Sequence, residues 1–430
     1  MFRIIVTRVS FGLLSIFSLL VYAADPNMPD VLRRNRQKIA AKDQLLSEEV
    51  ARQFVAQQNS IDLKPYTVLE DAAAEVLGSY RGPLDLDGLT SLTDAAAASL
   101  GNHEGPIRLT GADSLSDAAI ISLAKNRGDL SLGRLETLSD AAADALATHQ
   151  GSLNLGRLEG LSDAAWAALA RHRGGLGIGV TSLSDHAAAS LAKSRGTLDL
   201  PFLQSLTVSS AQALAKHRSR QLFPGIYGDD YLLLGLSELP DDIAAELAKH
   251  RGDLKLYGIS TLSEPAAGSV AKHKGDLAIG LTALSDTQAV LLSHHQGRLY
   301  LSRVTTISDA AAESLANHQG TLFLGLTAVS EIAAESLAKH KGGLSLTEMT
   351  EISDGAAAAL AHYRGNLMLR NVSTLSDAAA ISLSRHQGDL SLRGLTTLSE
   401  AGAAALADHR GKVTLNGEMK SKIEKLKSSQ

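Results

Sequence analysis

Leucines recur along the chain in a fixed phrase whose clearest copy runs from Gly128 to Gln150, GDLSLGRLETLSDAAADALATHQ. Within the phrase the spacing of apolar positions changes. Leu130 and Leu132 alternate with Asp129, Ser131 and Gly133, which is the period of a short strand with both leucines on one face. Leu135 and Leu138 then carry the chain across the edge of a core. Ser139 stands before Asp140 and a run of alanines, so it is expected to cap a helix over Ala141 to His149, with the Asp140 carboxylate in the positive first turn. Ala142 and Leu146 fall at helical spacing for the inner face. Gly151 is expected to supply a left-handed C-cap and to open the next strand.

The phrase restarts every 22 or 23 residues, giving fifteen units between Asn59 and Gly411; only the unit from Ser219 to Gly252 is longer, at 33 residues. A fixed period of this length predicts a solenoid, because one unit cannot bury its apolar face alone and must stack on its neighbours. The expected fold is an α/β repeat solenoid with one short parallel strand and one short helix per 22–23-residue unit. Residues 46–58 match the helical half of a unit with no strand before it, a capping half-repeat. Repeat blocks at 59–218 and 232–416 then flank an insertion at 219–231, and 417–430 end the chain as a capping helix or tail with Met419, Ile423 and Leu426 at helical spacing.

The pattern L-x-L-x-x-L-x-x-L-S-D-A-A-A-x-x-L-A-x-H, as it stands from Leu130 to His149, resembles the leucine-rich-repeat superfamily, and most of all the short bacterial repeats of secreted and surface proteins. The similarity covers Leu46 to Leu415. One position departs from the common pattern: where an asparagine ladder usually runs, this chain has Leu135, Leu158 and Leu395. The resemblance implies a parallel sheet on the concave face with protein or glycan recognition there, and it implies no catalytic residue.

Ahead of the repeats, Arg3 and Arg8 precede an apolar run from Phe11 to Tyr22 and small residues just before Asp25. Residues 1–24 therefore read as a cleaved secretory signal, placing the mature chain outside the cell or in the periplasm and envelope. A basic polar linker follows at 25–45, and no other stretch is long and apolar enough to span a membrane. The sequence contains no cysteine, which excludes disulfides, thiolate metal sites and thiol catalysis.

Candidate chemistry is sparse. Histidine fills the place two residues before the repeat glycine in eleven units, from His103 to His409, with Tyr80, Asn126, Ser194 and Tyr363 in the others. The expected role is at the negative helix end, bonded to the last carbonyls, rather than in a metal ladder. Ser139 and His149 lie ten residues apart on one helix, or ~15 Å, so serine and histidine of one unit cannot form a nucleophile and base. No cofactor motif is present. With 41 Lys and Arg against 46 Asp and Glu, the overall charge balance argues against nucleic acid as a partner.

The outward strand positions carry the remaining signal. In the first block small and acidic residues dominate them, but after the insertion they include Lys255, Tyr257, Arg298, Tyr300, Phe323, Met368, Arg370 and Arg393. Large apolar groups there contribute nothing to the core, so they are expected to form a binding patch with Tyr300 beside Phe323. The insertion adds Phe223, Tyr227, Asp229, Asp230 and Tyr231, loop and aromatic types in a chain poor in aromatics. The expected function is a secreted, non-enzymatic recognition scaffold for a protein or a polysaccharide. The alternative is a structural or adhesive envelope spacer, and a hydrolase ranks behind both.

Overall fold

The computed structural model describes residues 45–57, 61–113, 115–133, 135–219 and 230–429. From Leu84 onward each unit adds one strand and one helix, and the strands stack parallel in chain order into a 15-stranded sheet from Leu84–Asp85 to Val413–Leu415. Alternation places the strand leucines inward, as at Leu130 and Leu132, against helix residues such as Ala142 and Leu146. The crossing leucines Leu135, Leu158 and Leu395 are buried too. Alanine at the inner helix positions lets each short helix lie close over the sheet. No helix among the described residues is long and apolar enough to cross a membrane.

Two polar ladders run the length of this core. At the start of most helices the N-cap hydroxyl accepts from the third helical N–H, as Ser162 Oγ does from Ala165 at 2.9 Å. The same hydroxyl donates to the aspartate that opens the preceding helix, Asp140. Ser116 on Asp94, Ser308 on Asp286 and Ser399 on Asp377 repeat the arrangement. One serine thus satisfies an orphan helix donor and links two units. The hydroxyls of Thr207 and Ser210 hold the Asp185 carboxyl below its ordinary range.

The second ladder lies where each helix turns into the next strand, and here the structure corrects the expectation for histidine. The rings are buried, 0% exposed at His103, His217, His295 and His318. They lie parallel in a column, with centroids 6.0–6.2 Å apart from His217 through His340. Four of them, His149, His273, His340 and His409, reach back to backbone carbonyls of the unit before, whereas the ring nitrogens of His103, His172, His217, His250, His295, His318 and His386 are buried with no hydrogen-bond partner. His409 sets Nδ1 at 3.1 Å from Ser384 O and Nε2 at 3.0 Å from Gly388 O; His340 faces Ala316 O and Gly320 O in the same way. Asn126 and Tyr363, in the same slot, do likewise, whereas the Ser194 hydroxyl has no partner. Asn126 Nδ2 donates to His103 O at 2.6 Å and Gly105 O at 3.1 Å, and Tyr363 OH donates to Gly342 O at 2.5 Å. At these positions the slot supplies a donor for carbonyls shut away from water.

The repeat glycine is corrected as well. Among the described glycines only Gly160 has a positive φ, +66°, so the repeat glycines are not left-handed caps. They are required by proximity. A Cβ on Gly320 would sit 2.1 Å from Gly297 O, and one on Gly196 would sit 1.6 Å from Gly174 O. The helices instead end in right-handed geometry, with the cap N–H bonded back into the last turn, as at Thr148.

The ends also differ from expectation. The half-repeat does have a strand: Leu45–Leu46 pairs in parallel with Val68–Leu69 as a separate two-stranded sheet ahead of helix Glu48–Ala56. Residues 61–64 of the first unit form no strand. Pro65 has no N–H to give a ladder there, and the chain turns before it. Across the insertion the sheet is unbroken, because Leu232 and Leu234 take their places opposite Leu198 and Leu200. Tyr231 is consequently the first residue of strand Tyr231–Leu234 rather than part of a loop. At the far end helix Gly417–Ser429 buries Met419 and Ile423 over the last layer.

Gly320→Ala is expected to lower stability by about 1–3 kcal/mol through overpacking in urea unfolding, whereas Gly417→Ala, where nothing lies within 4 Å, is expected to be neutral or stabilising.

The histidine column carries a pH dependence of defined sign. Burial holds the imidazoles down, to about 4 at His172, about 3 at His250 and about 4 at His295. In the unfolded chain the same groups protonate near 6.5. Their contribution is therefore complete above that pH and is lost as the pH falls from 6.5 toward the folded values, at about 1.4 kcal/mol per pH unit for each such histidine. The melting temperature is expected to drop between pH 7.5 and pH 5; an unchanged value would contradict the column.

Candidate recognition face

Strand residues that alternate with the core leucines face the open side of the sheet, and the register sets them in one row. Leu233, Lys255, Ala278, Tyr300, Phe323, Ser345, Met368 and Ser391 occupy successive rungs. Tyr300 and Phe323 stack with ring centroids 4.2 Å apart and 9° between planes. Each ring shields a face of the other, so both are half-buried. Ala278 and Ser345, small residues between large ones, are only 3% exposed. The row is continuous cover over the strands rather than a set of separate side chains.

Around it, Tyr257 is 48% exposed, and its carbonyl accepts from Arg303 Nη1 at 3.3 Å. The Arg370 guanidinium lies 3.7 Å from Met368 Sδ, and Arg393 is exposed. Arg298 turns toward Asp276, 3.6 Å away, and so is not a free cation beside the aromatic pair.

Near the junction of the two blocks the structure brings together Asp199, Tyr231 and Lys255. Tyr231 OH donates to Asp199 Oδ2 at 3.1 Å, and Lys255 Nζ lies 3.4 Å from the Tyr231 ring centroid. Burial raises the Asp199 carboxyl, opposed by the Tyr231 hydroxyl and the Lys255 charge, and Asp199 Oδ1 is buried with no partner. Burial first, and the nearby Asp199 carboxylate second, raise the Tyr231 phenol. Asp199 was not among the residues expected from the sequence, since it belongs to the first block. Counting rungs across the insertion, which set Asp199 opposite Leu233, is the signal that finds it.

Asp230 enters the histidine column itself. Its Oδ1 accepts from Ser219 N at 2.7 Å, and its carboxylate, His217 and His250 bring ligand-type atoms within 4.8 Å of one another. The two rings are stacked with centroids 6.1 Å apart and 22° between their planes. Phe223, Tyr227 and Asp229 lie outside the described residues. The N-cap serine hydroxyls are engaged with aspartates of the preceding helices, as Ser162 is with Asp140, rather than with the histidines.

No family model matches the chain, and no curated protein matches it. Among solved structures it is similar to TLR13 in its complex with ssRNA13, at 14% identity and TM-score 0.46 over 87% of this chain, and it spans 61% of the length of that one. A leucine-rich-repeat protein of Leptospira interrogans matches at 15% identity and TM-score 0.34, over 82% of this chain and 94% of that one. An internalin of Listeria monocytogenes matches at 15% identity and TM-score 0.37, over 84% and 94%. At these identities and scores the likenesses carry no argument, and the repeat-solenoid fold rests on the chain's own strands and helices.

Tyr231→Phe is expected to leave Asp199 without its hydroxyl donor, raising that carboxyl further and costing about 1–3 kcal/mol in urea unfolding at pH 7; an unaltered midpoint would remove Tyr231 from the packing of this junction.

Proposed function

We propose that this leucine-rich-repeat solenoid is a non-enzymatic recognition scaffold that binds a protein or polysaccharide through the open strand face of its second block. The observation that carries the reading is the Tyr300–Phe323 stack on the solvent side of the sheet. The core is complete without it, since Leu299, Leu301, Leu322 and Leu324 fill the inward positions of the same two strands. Stacked aromatic groups on a pre-formed surface lose little conformational freedom on contact, which suits them as anchors. Exposed Tyr257 and Arg370 extend the same face on either side.

Secretion is part of the proposal and rests on the basic residues and apolar run at 1–24, which lie outside the described residues. The insertion residues Phe223 and Tyr227 are proposed to contribute to the same surface, on their composition and on their place next to the strand that begins at Tyr231.

The test is a screen of the mature protein against envelope proteins and polysaccharides beside a Tyr300→Ala, Phe323→Ala double variant. Binding weakened tenfold or more, with circular dichroism unchanged, is the expected result. Equal binding by both proteins would remove the face from recognition and favour the spacer.

A further inference from the structure

The residues on either side of the buried slot residue (histidine in most units, Ser194 in one), three and one before the position usually held by the repeat glycine, form a second surface along the edge of the solenoid where the helices end. In the five consecutive units from Arg171 to Lys274 both places are cationic, ten positive charges in all. Two of the ten have carboxylate partners, Arg171 with Asp144 and Lys249 with Glu246, and both pairs are at the surface. Arg173, Lys193, Arg195, Arg251, Lys272 and Lys274 are exposed and have no carboxylate within 4 Å among the described residues. The helix C-termini beneath them carry about half a negative charge each, so five helices offset roughly 2.5 of the ten. The edge remains strongly positive although the whole chain carries a net charge of −5.

The surface is also grooved. Small residues at the helix ends leave a cleft between one helix and the next, with cations on both walls. One of about 430 Å³ lies over Ala167, Ala170 and Ser190 between the Arg171–Arg173 and Lys193–Arg195 pairs. Another, of about 380 Å³, lies over Ala245, Ala248 and Ser269 between Lys249–Arg251 and Lys272–Lys274. They recur with the repeat, and the histidines behind the second stand 6.2 Å apart. No Phe, Tyr or Trp lines either groove.

We infer that this edge is a binding site for a linear anionic polysaccharide, whose regularly spaced carboxylates or sulfates lie across the cation pairs with sugar units seated in the grooves. A repeating charge on the polymer meets a repeating charge on the protein, so many weak contacts act together. Single-stranded nucleic acid fits less well, because it draws on aromatic platforms for its bases and these grooves have none.

The test titrates the mature protein with heparin, polygalacturonate, neutral dextran and a single-stranded oligodeoxynucleotide at 50 and 200 mM NaCl. It is repeated with a Lys193→Glu, Arg195→Glu, Lys272→Glu, Lys274→Glu variant and with the Tyr300→Ala, Phe323→Ala variant. Binding of heparin (sulfate arm) or polygalacturonate (carboxylate arm), weakened at least tenfold by the higher salt and at least tenfold by the four charge reversals in a variant of unchanged circular dichroism, is the expected result. The aromatic variant is expected to bind as the parent does, which separates this edge from the strand face. Absence of binding to both polyanions at 50 mM NaCl, equal binding of dextran, tighter binding of the oligonucleotide, or full binding by the charge-reversed variant would each overturn it. So would light scattering that shows the edge occupied by a second copy of the chain at low salt.

Discussion

At every passage from helix to strand, backbone carbonyls of one unit are left pointing into a space that water does not enter, and the next unit has to answer them. Buried carbonyls without donors are costly, and a solenoid repeats the problem at each turn. Histidine is well suited to the place. Its ring is flat enough to stack between neighbours, and it can aim one nitrogen at the preceding helix end and the other at the preceding glycine, as His340 and His409 do. A neutral ring donates from one nitrogen only, so His340 and His409 each face more acceptors than they can serve. A second proton would serve them but would place charge in a dry column, which is why burial dominates the shifts at His172, His250 and His295.

The same constraint explains the glycine beside it. For the ring to reach back, successive backbones must pass nearly in contact, and Gly297 O would touch any side chain at position 320. With the glycines packed this closely, the exposed residues flanking the histidine are drawn into a tight file. At the opposite edge the aspartates are held in file by serine hydroxyls. The fold therefore sorts charge as a by-product of its hydrogen bonding, acidic residues along one margin and basic along the other.

Much of this was legible from leucine spacing, because strand and helix periods differ and each unit repeats both. Serine before aspartate and an alanine run foretold the caps, and Tyr300 and Phe323 could be set side by side by counting rungs. What could not be read was which of two reasons a conserved-looking small residue serves: glycine after a helix suggests left-handed geometry, yet here it answers to a neighbour 23 residues away. The histidines misled for a like reason, since a polar residue at a helix end is ordinarily solvated and nothing local marks it as buried. Whole-chain charge balance likewise averaged over two margins of opposite sign. Asp199 was hidden by the insertion, which lengthens the sequence between rungs without lengthening the stack.

Both ends of the array are closed by helices, Glu48–Ala56 before the first layers and Gly417–Ser429 after the last. Between them every unit presents acceptors on one side and donors on the other, in the same places. A unit duplicated or lost in the gene would leave its former neighbours able to join without repair, and the slot's tolerance of Tyr363 and Asn126 indicates that the seam itself has room to vary. The reach of the molecule is in this sense a matter of copy number, open to change by recombination without a new fold having to be found.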